Sequence, residues 1–171
     1  MSAAGDTPGE VAGQPGATVG FLLSQLGAAN ARWFHEVLVP AGLGPRQFAI
    51  LRFVAGAEGQ SQNALGESLQ IAPSRMVALI DELEEGGLVE RRHNPHDRRA
   101  KALYVTDKGR RTLSRAMKIG MAHEADICRP LHEGERELLI DMLQRIAAAQ
   151  GLTAGVHPEL RTAEPPFRHD H

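Results

Sequence analysis

The sequence predicts a mostly α-helical fold carrying one small two-stranded β-hairpin. Three observations predict it. Apolar residues recur at spacings of three and four in six stretches between residues 18 and 150, the mark of amphipathic helices. Aromatic residues make up only 4% of a chain that is 42% hydrophobic, so the core is aliphatic and suits helix packing. The stretch Leu88 to Gly109 breaks the helical period. Two runs with strand-like spacing flank Asn94-Pro95-His96-Asp97, where Asn-Pro initiates a turn and Pro95 fixes one backbone angle.

The elements follow in order. Residues 1–17 are rich in Gly, Pro, Ala and Ser, have no apolar period and read as a disordered tail. Residues 18–39 carry Val19, Leu22, Leu26, Ala29, Trp33 and Val37 on one face of a first helix, which Pro40-Ala-Gly ends. Pro45 opens a second helix with Phe48, Leu51 and Val54-Ala55 on one face, and Gly56 and Gly59 mark its end. Ser61 is a suitable N-cap for a short third helix, Gln62 to Ser68, with Ala64 and Leu65 inward. After a brief turn, Leu69-Gln70-Ile71, Pro73 sits in the first turn of a fourth helix, where its missing amide costs little. That helix runs to about Glu85 on the stripe Met76, Val77, Leu79-Ile80 and Leu83, and Gly86-Gly87 closes it. Beyond the hairpin, Thr106 caps a long fifth helix that Pro130 breaks. A sixth, Glu133 to Gln150, has Leu138, Leu139, Met142, Leu143 and Ile146 as its inward side. Residues 151–171 are dominated by Pro, His and charge and read as a flexible tail. There is no internal repeat.

Composition narrows the function. A chain of 171 residues suits one compact domain with tails. No apolar run approaches the roughly 20 residues needed to span a bilayer, so no membrane role is expected. No signal peptide is visible, and a single cysteine, Cys128, forbids an intrachain disulfide; both suit a cytoplasmic setting. The net charge of −2 excludes a uniformly basic coat, but its distribution is uneven. Between Glu90 and Arg111 stand eight Arg or Lys (91, 92, 98, 99, 101, 108, 110 and 111) against three acids (90, 97 and 107).

Two short helices joined by a tight turn and followed by a hairpin make a winged helix-turn-helix, whose second helix can lie in the major groove of double-stranded DNA. Near the start of that helix, Pro73, Ser74 and Arg75 are placed to face base edges, and a guanidinium such as that of Arg75 can pair with guanine O6 and N7. Ser61 and Gln62, at the start of the third helix, can offer amides and short polar groups to a phosphate. For Ser61, plain capping accounts for the residue equally well. The hairpin, with Arg98, Arg99 and Lys101 at or beside its tip, fits the adjacent minor groove, where an arginine senses negative potential and groove width. Asp97 reads as the partner that orients Arg99; a loose surface pair is the plainer alternative.

The stretch Leu83-Glu-Glu-Gly-Gly-Leu-Val-Glu-Arg-Arg, followed by Asp97-Arg-Arg-Ala-Lys-Ala-Leu-Tyr-Val-Thr-Asp-Lys-Gly109, resembles the MarR family of bacterial transcription regulators. Residues 18–150 resemble its six-helix layout, with dimerisation helices at 18–39 and 107–150 and a DNA-binding lobe at 45–106. The resemblance implies an intertwined homodimer, a repressor of neighbouring genes, and release of DNA when a small, often aromatic molecule binds between the dimerisation and DNA-binding parts. It also implies that Arg99 and Arg98 are the minor-groove residues, with Asp97 holding the wing. Physically, a two-fold dimer would set two recognition helices roughly 34–36 Å apart and ask for a pseudo-palindromic operator.

Elsewhere the residues are less specific. Trp33, Phe34, His35 and Phe48 are candidates for lining an effector pocket, although a lone Trp at helical spacing is more often core or interface. His35-Glu36 and His123-Glu124 raise a metal question, and some MarR-like regulators sense zinc. However, no His-x3-His or Cys-x2-Cys spacing supports it, and His157, His169 and His171 fall in the tail, so no metal or other cofactor is expected. Cys128 reads as a structural thiol rather than a redox switch. Ser114, His123 and Asp126 lie on one helix at spacings that do not converge, and Gly56, Gly59 and Gly66 form no phosphate loop, so an enzyme is not expected. A winged module that binds protein instead of DNA is the alternative from another class; it would lack a steep salt dependence on DNA.

Overall fold

The computed structural model describes residues 18–39, 42–94 and 97–161. The element order is α1 (Val19–Leu38), α2 (Pro45–Gly56), α3 (Gln62–Leu69), α4 (Pro73–Glu85), β1 (Val89–Asn94), β2 (Asp97–Val105), α5 (Asp107–Cys128) and α6 (Glu135–Ala149). A 3-10 turn follows at Pro158–Leu160. Residues 1–17 and 162–171, read as tails from the sequence, lie outside the described residues.

Helix ends follow local chemistry. Thr18, Ser61 and Thr106 each accept a backbone N–H three residues on, at 3.3, 3.2 and 3.0 Å, which satisfies one of the orphan donors of the helix they begin. Pro45 and Pro73 open α2 and α4, where the absent amide is not missed. The Glu84-Glu85-Gly86-Gly87-Leu88 run has a simple mechanical meaning. Gly87 turns left-handed (φ 67), its N–H donates to Glu84 O, and Leu88 N–H donates to Leu83 O at 2.8 Å. This is the Schellman stop, and it brings Leu88 onto Leu83 as the chain enters β1. The end of α3 uses the same pattern with Gln70 in the left-handed position (φ 54).

The core lies inside the lobe built from α2 to the hairpin. Ile50, Leu51 and Val54 of α2, Leu65 and Leu69 of α3, Met76, Leu79, Ile80 and Leu83 of α4, and Val89, Leu103 and Val105 of the hairpin form one buried aliphatic cluster. Leu113 and Ala116 of α5 close it from the side. The segment ahead of α3 joins the sheet: Gly59 N–H donates to Leu103 O and Leu103 N–H to Gln60 O, each at 2.9 Å, and Ser61 bridges Ala102. The hairpin is therefore pinned to the start of α3.

The terminal helices behave differently. On α1, Val19 and Leu26 are 62% and 64% exposed. On α6, Leu138, Leu139, Met142, Leu143 and Ile146 all remain exposed. The sequence predicts these α6 residues as an inward side; among the described residues nothing buries them, and α6 contributes no buried residue. A second correction concerns residues 151–161. They are no loose tail: Val156 and Leu160 are buried in the lobe's own cluster. Two apolar residues four apart were too sparse a signal among the prolines and charges to reveal this.

Candidate nucleic-acid interface

The fourth helix presents its first turn outward. Ala72, Pro73, Ser74, Val77 and Ala78 are exposed, while Met76, Leu79 and Ile80 hold the opposite face in the core. No side chain caps this turn, since Ala72 stands at the N-cap. Ser74 therefore sits at the open end of a helix that can enter a groove. Arg75 is half-buried on the flank, and its Nε–H donates to Leu160 O at 2.9 Å.

The third helix is more committed than the sequence suggests. Ser61 Oγ caps Ala64 N–H, the plainer of its two expected roles. Gln62 Oε1 accepts from Arg91 Nη2 at 2.8 Å. Arg91 also pairs with Asp81 at 2.6 Å and with Glu84, so one half-buried guanidinium joins α3, α4 and β1. Burial pulls the pKa of Arg91 down, but its hydrogen bonds to Asp81 and Glu84 outweigh that and hold it above its ordinary value. The sequence window from Glu90 to Arg111 hides this, because the balancing acids lie outside it.

Other cations of the basic window are also engaged. Arg110 pairs Glu58 through both carboxylate oxygens at 2.9 Å, and Val105 N–H donates to Glu58 Oε1 at 2.8 Å. Burial pushes the Glu58 carboxyl up, yet the bonds from Arg110 and Val105 and the charges of Arg110 and Arg92 prevail and hold it below the usual range. Arg92 pairs with Glu90 and lies over the Tyr104 ring at 4.8 Å. Lys108 Nζ donates to Gly86 O at 2.7 Å. Lys101 is exposed on β2, with no ion-pair partner among the described residues. Four of the eight cations (91, 92, 108 and 110) are thus engaged within the protein, and of these Arg91 ties the wing to α3 and α4.

The wing itself has an irregular ladder. His93 pairs with Lys101, but the next residue, Asn94, pairs with Asp97, so Arg98, Arg99 and Ala100 lie opposite no residue of β1. A bulge of this kind bends a strand and re-aims what it carries. The side chains of Asp97, Arg98 and Arg99 lie outside the described residues, and so does the expected Asp97–Arg99 pair.

At the base of the wing, the Thr106-x-x-Gly109 motif is a packing device. Thr106 Oγ1 donates to Gly87 O at 2.7 Å and accepts from Gly109 N–H. A Cβ on Gly109 would stand 2.1 Å from Leu88 O and 2.8 Å from Val105 Cγ1. Only glycine lets the first turn of α5 approach the hairpin this closely.

Of the proposed pocket residues, Trp33 and Phe34 meet edge to face at 5.3 Å between centroids. His123 of α5 stacks on Trp33 at 3.5 Å with its rings 4° from parallel, and His123 Nε2 lies 2.9 Å from Asn30 Oδ1. Sequence reasoning did not foresee this stack, which bridges α1 and α5 across 90 positions of chain. His35 is exposed, and Phe48 packs against the core from the side. Cys128 is half-buried, 3.7 Å from Glu124 Oε1. Among the described residues no group of three or more His, Cys, Asp or Glu is placed to hold a metal ion, and no helix is long and apolar enough to cross a membrane.

Comparison with known proteins agrees with this geometry. Residues 41–100 match the MarR family. A protein assigned to regulation of the hcr operon in Thauera aromatica is 32% identical over 139 residues, covering 81% of each chain. The repressor CouR bound to a 23-mer DNA duplex is 32% identical, with a TM-score of 0.67 over 84% of this chain and 99% of that one. CouR from Rhodococcus jostii RHA1 bound to p-coumaroyl-CoA is 35% identical, with a TM-score of 0.63 over 75% of this chain and 91% of that one. This chain belongs to the MarR family of winged helix-turn-helix, DNA-binding transcription regulators, whose members are not enzymes.

Proposed function

We propose that the chain is a homodimeric repressor that binds a pseudo-palindromic operator and leaves it when a small aromatic effector binds. The observation that carries the DNA-reading part is the Arg91 tether. By joining α3, α4 and β1 it holds the recognition helix and the wing as one rigid unit, so both meet adjacent grooves without a further ordering cost. Ser74 and Arg75 stand at the major groove, with Pro73 setting the start of the helix. Arg98, Arg99 and Lys101 belong to the wing and the minor groove, and Asp97 orients Arg99. Ser61 and Gln62 serve this surface chiefly by capping α3 and seating Arg91.

The dimer part rests on the uncovered apolar faces of α1 and α6. Faces this large on two terminal helices ask for a second copy. The effector part rests on CouR, whose structure holds p-coumaroyl-CoA. Trp33, with Phe34, His35 and Phe48 around it, is the site we assign to the aromatic ring of the effector, since a flat ring can extend or replace the Trp33–His123 stack.

A gel-shift titration at fixed salt with the DNA upstream of the chain's own gene tests the reading. Wild-type protein is expected to bind as a dimer with a steep salt slope. Arg99→Ala should weaken that binding tenfold or more, about 1.4 kcal/mol. Unchanged binding by the variant removes the wing from the interface. Trp33 is the single tryptophan of the chain, so its fluorescence reports directly on the effector site. Quenching by p-coumaroyl-CoA together with release of DNA supports that assignment, and release without any change in Trp33 emission overturns it.

A further inference from the structure

The first two turns of α4 turn one patch away from the core. Ser74, Val77 and Ala78 stand at i, i+3 and i+4, so they share a face. All three are exposed, and Val77 is 41% exposed although it is a large apolar residue on a helix whose opposite face is buried. Ala72 and Pro73 lead into the same patch and are exposed as well. Apart from the Ser74 hydroxyl, the side chains of this patch are wholly apolar. The long polar side chains around it are engaged within the protein. Arg75 is half-buried, with its Nε–H on Leu160 O of the strap, residues 151–161, that follows α6. Gln62 is held by Arg91. Farther along α4 stand Asp81, Glu82, Glu84 and Glu85. Asp81 pairs with Arg91, and Glu82 accepts from Gln47 at 3.3 Å. These acids repel phosphate, so the helix enters a groove by its first two turns.

On the major-groove edge only thymine offers an apolar group, its C5-methyl, and small apolar side chains are what contact it. Arginine, asparagine and glutamine, which read guanine and adenine through paired hydrogen bonds, do not occur among the exposed residues of this patch. We propose that Val77, with Ala78 beside it, reads thymine C5-methyl groups in each half-site, so that α4 selects its sequence by methyl contact. This deepens the reading that α4 enters the major groove and rests on it. Contact with the methyl takes Val77 out of water. A cytosine at the same place carries only hydrogen at C5 and leaves Val77 without that partner. Ser74 anchors the helix beside these contacts, since a hydroxyl donates or accepts and so bonds either kind of base edge.

The test measures binding of the full-length protein to the duplex upstream of its own gene and to a random duplex of equal length and composition, at one salt concentration. Each duplex is made once with thymine and once wholly with deoxyuridine, which pairs as thymine does and lacks only the methyl. A buried methyl is worth about fourfold in binding, and a dimer meets at least one in each half-site, so deoxyuridine is expected to lower the upstream-to-random ratio by about tenfold. Val77→Ala removes the reading group at an exposed position outside the core, and is expected to lower the same ratio on thymine DNA several-fold. On Val77→Ala the deoxyuridine penalty should shrink, because both changes remove one contact. The wild-type comparison needs no altered protein, so it stands even if the variant folds poorly. An unchanged ratio on deoxyuridine DNA overturns the inference. A full deoxyuridine penalty in Val77→Ala also overturns it, since the loss then comes from duplex shape and not from the contact. Both results leave α4 in the groove, whereas wild-type protein that binds the two thymine duplexes alike overturns the groove reading as well.

Discussion

Single residues carry the coupling between wing and lobe, and their chemistry gives measurable consequences. Glu58 joins β2 and α5 through Val105 N–H and the Arg110 guanidinium. Its folded pKa is depressed, so the ionised carboxylate stabilises the fold above the ordinary carboxylate range, and that contribution is lost as pH falls through the folded pKa. Glu58→Gln is accordingly expected to lower stability by about 1 kcal/mol near neutral pH, discounted for its partial exposure. The gap to wild type should close in acid, and parallel urea curves at neutral and acidic pH would show it. A constant gap would mean the loss is of packing and not of charge. Gly109 is the other decisive position. Gly109→Ala drives a Cβ against Leu88 O and should cost roughly 3 kcal/mol, since backbone on both sides must move. A melting temperature within a degree of wild type would refute the close approach. The helix start at Thr106 was legible in the sequence, but the close approach at Gly109 was not, and neither was the role of Glu58, whose partners lie 47 and 52 positions away.

At the scale of elements, the helix boundaries were the most legible feature. Caps and stops are local, so Ser61, Thr106, Pro45, Pro73 and Gly87 announce themselves within a few residues of sequence. The end of α3 was harder, because it uses Gln70 where glycine is the usual occupant of a left-handed position. Gln70→Gly should therefore stabilise the chain by up to about 1 kcal/mol, with no change in secondary structure by circular dichroism. Destabilisation would indicate that the Gln70 side chain holds the helix-turn-helix turn by contacts of its own. The irregular β2 ladder around Arg98–Ala100 was not legible either. A bulge is a mismatch between two strands, and a period of two read along one strand does not contain it.

At the scale of the whole molecule, burial is lopsided. The lobe from α2 to the wing is closed, while α1 and α6 leave broad apolar faces open. Leu143→Glu on α6 is expected to shift the protein from dimer to monomer in sedimentation and to abolish high-affinity operator binding, since one half-site alone loses the coupling between two recognition helices. A Leu143→Glu protein that remains dimeric would remove α6 from the interface we assign. The same variant should leave the lobe's own unfolding transition in place, because Leu143 is no part of its core.

Local signals in the sequence determined the six helices, the hairpin and the family, because capping residues, turn formers and apolar periods act within a few positions. Tertiary structure alone decided which cations are spent on bracing, that His123 stacks on Trp33, and that the strap after α6 reaches Arg75. These depend on pairs far apart in the chain, whose meeting is set by how a buried core folds the elements together, and no reading along one line of residues contains that distance.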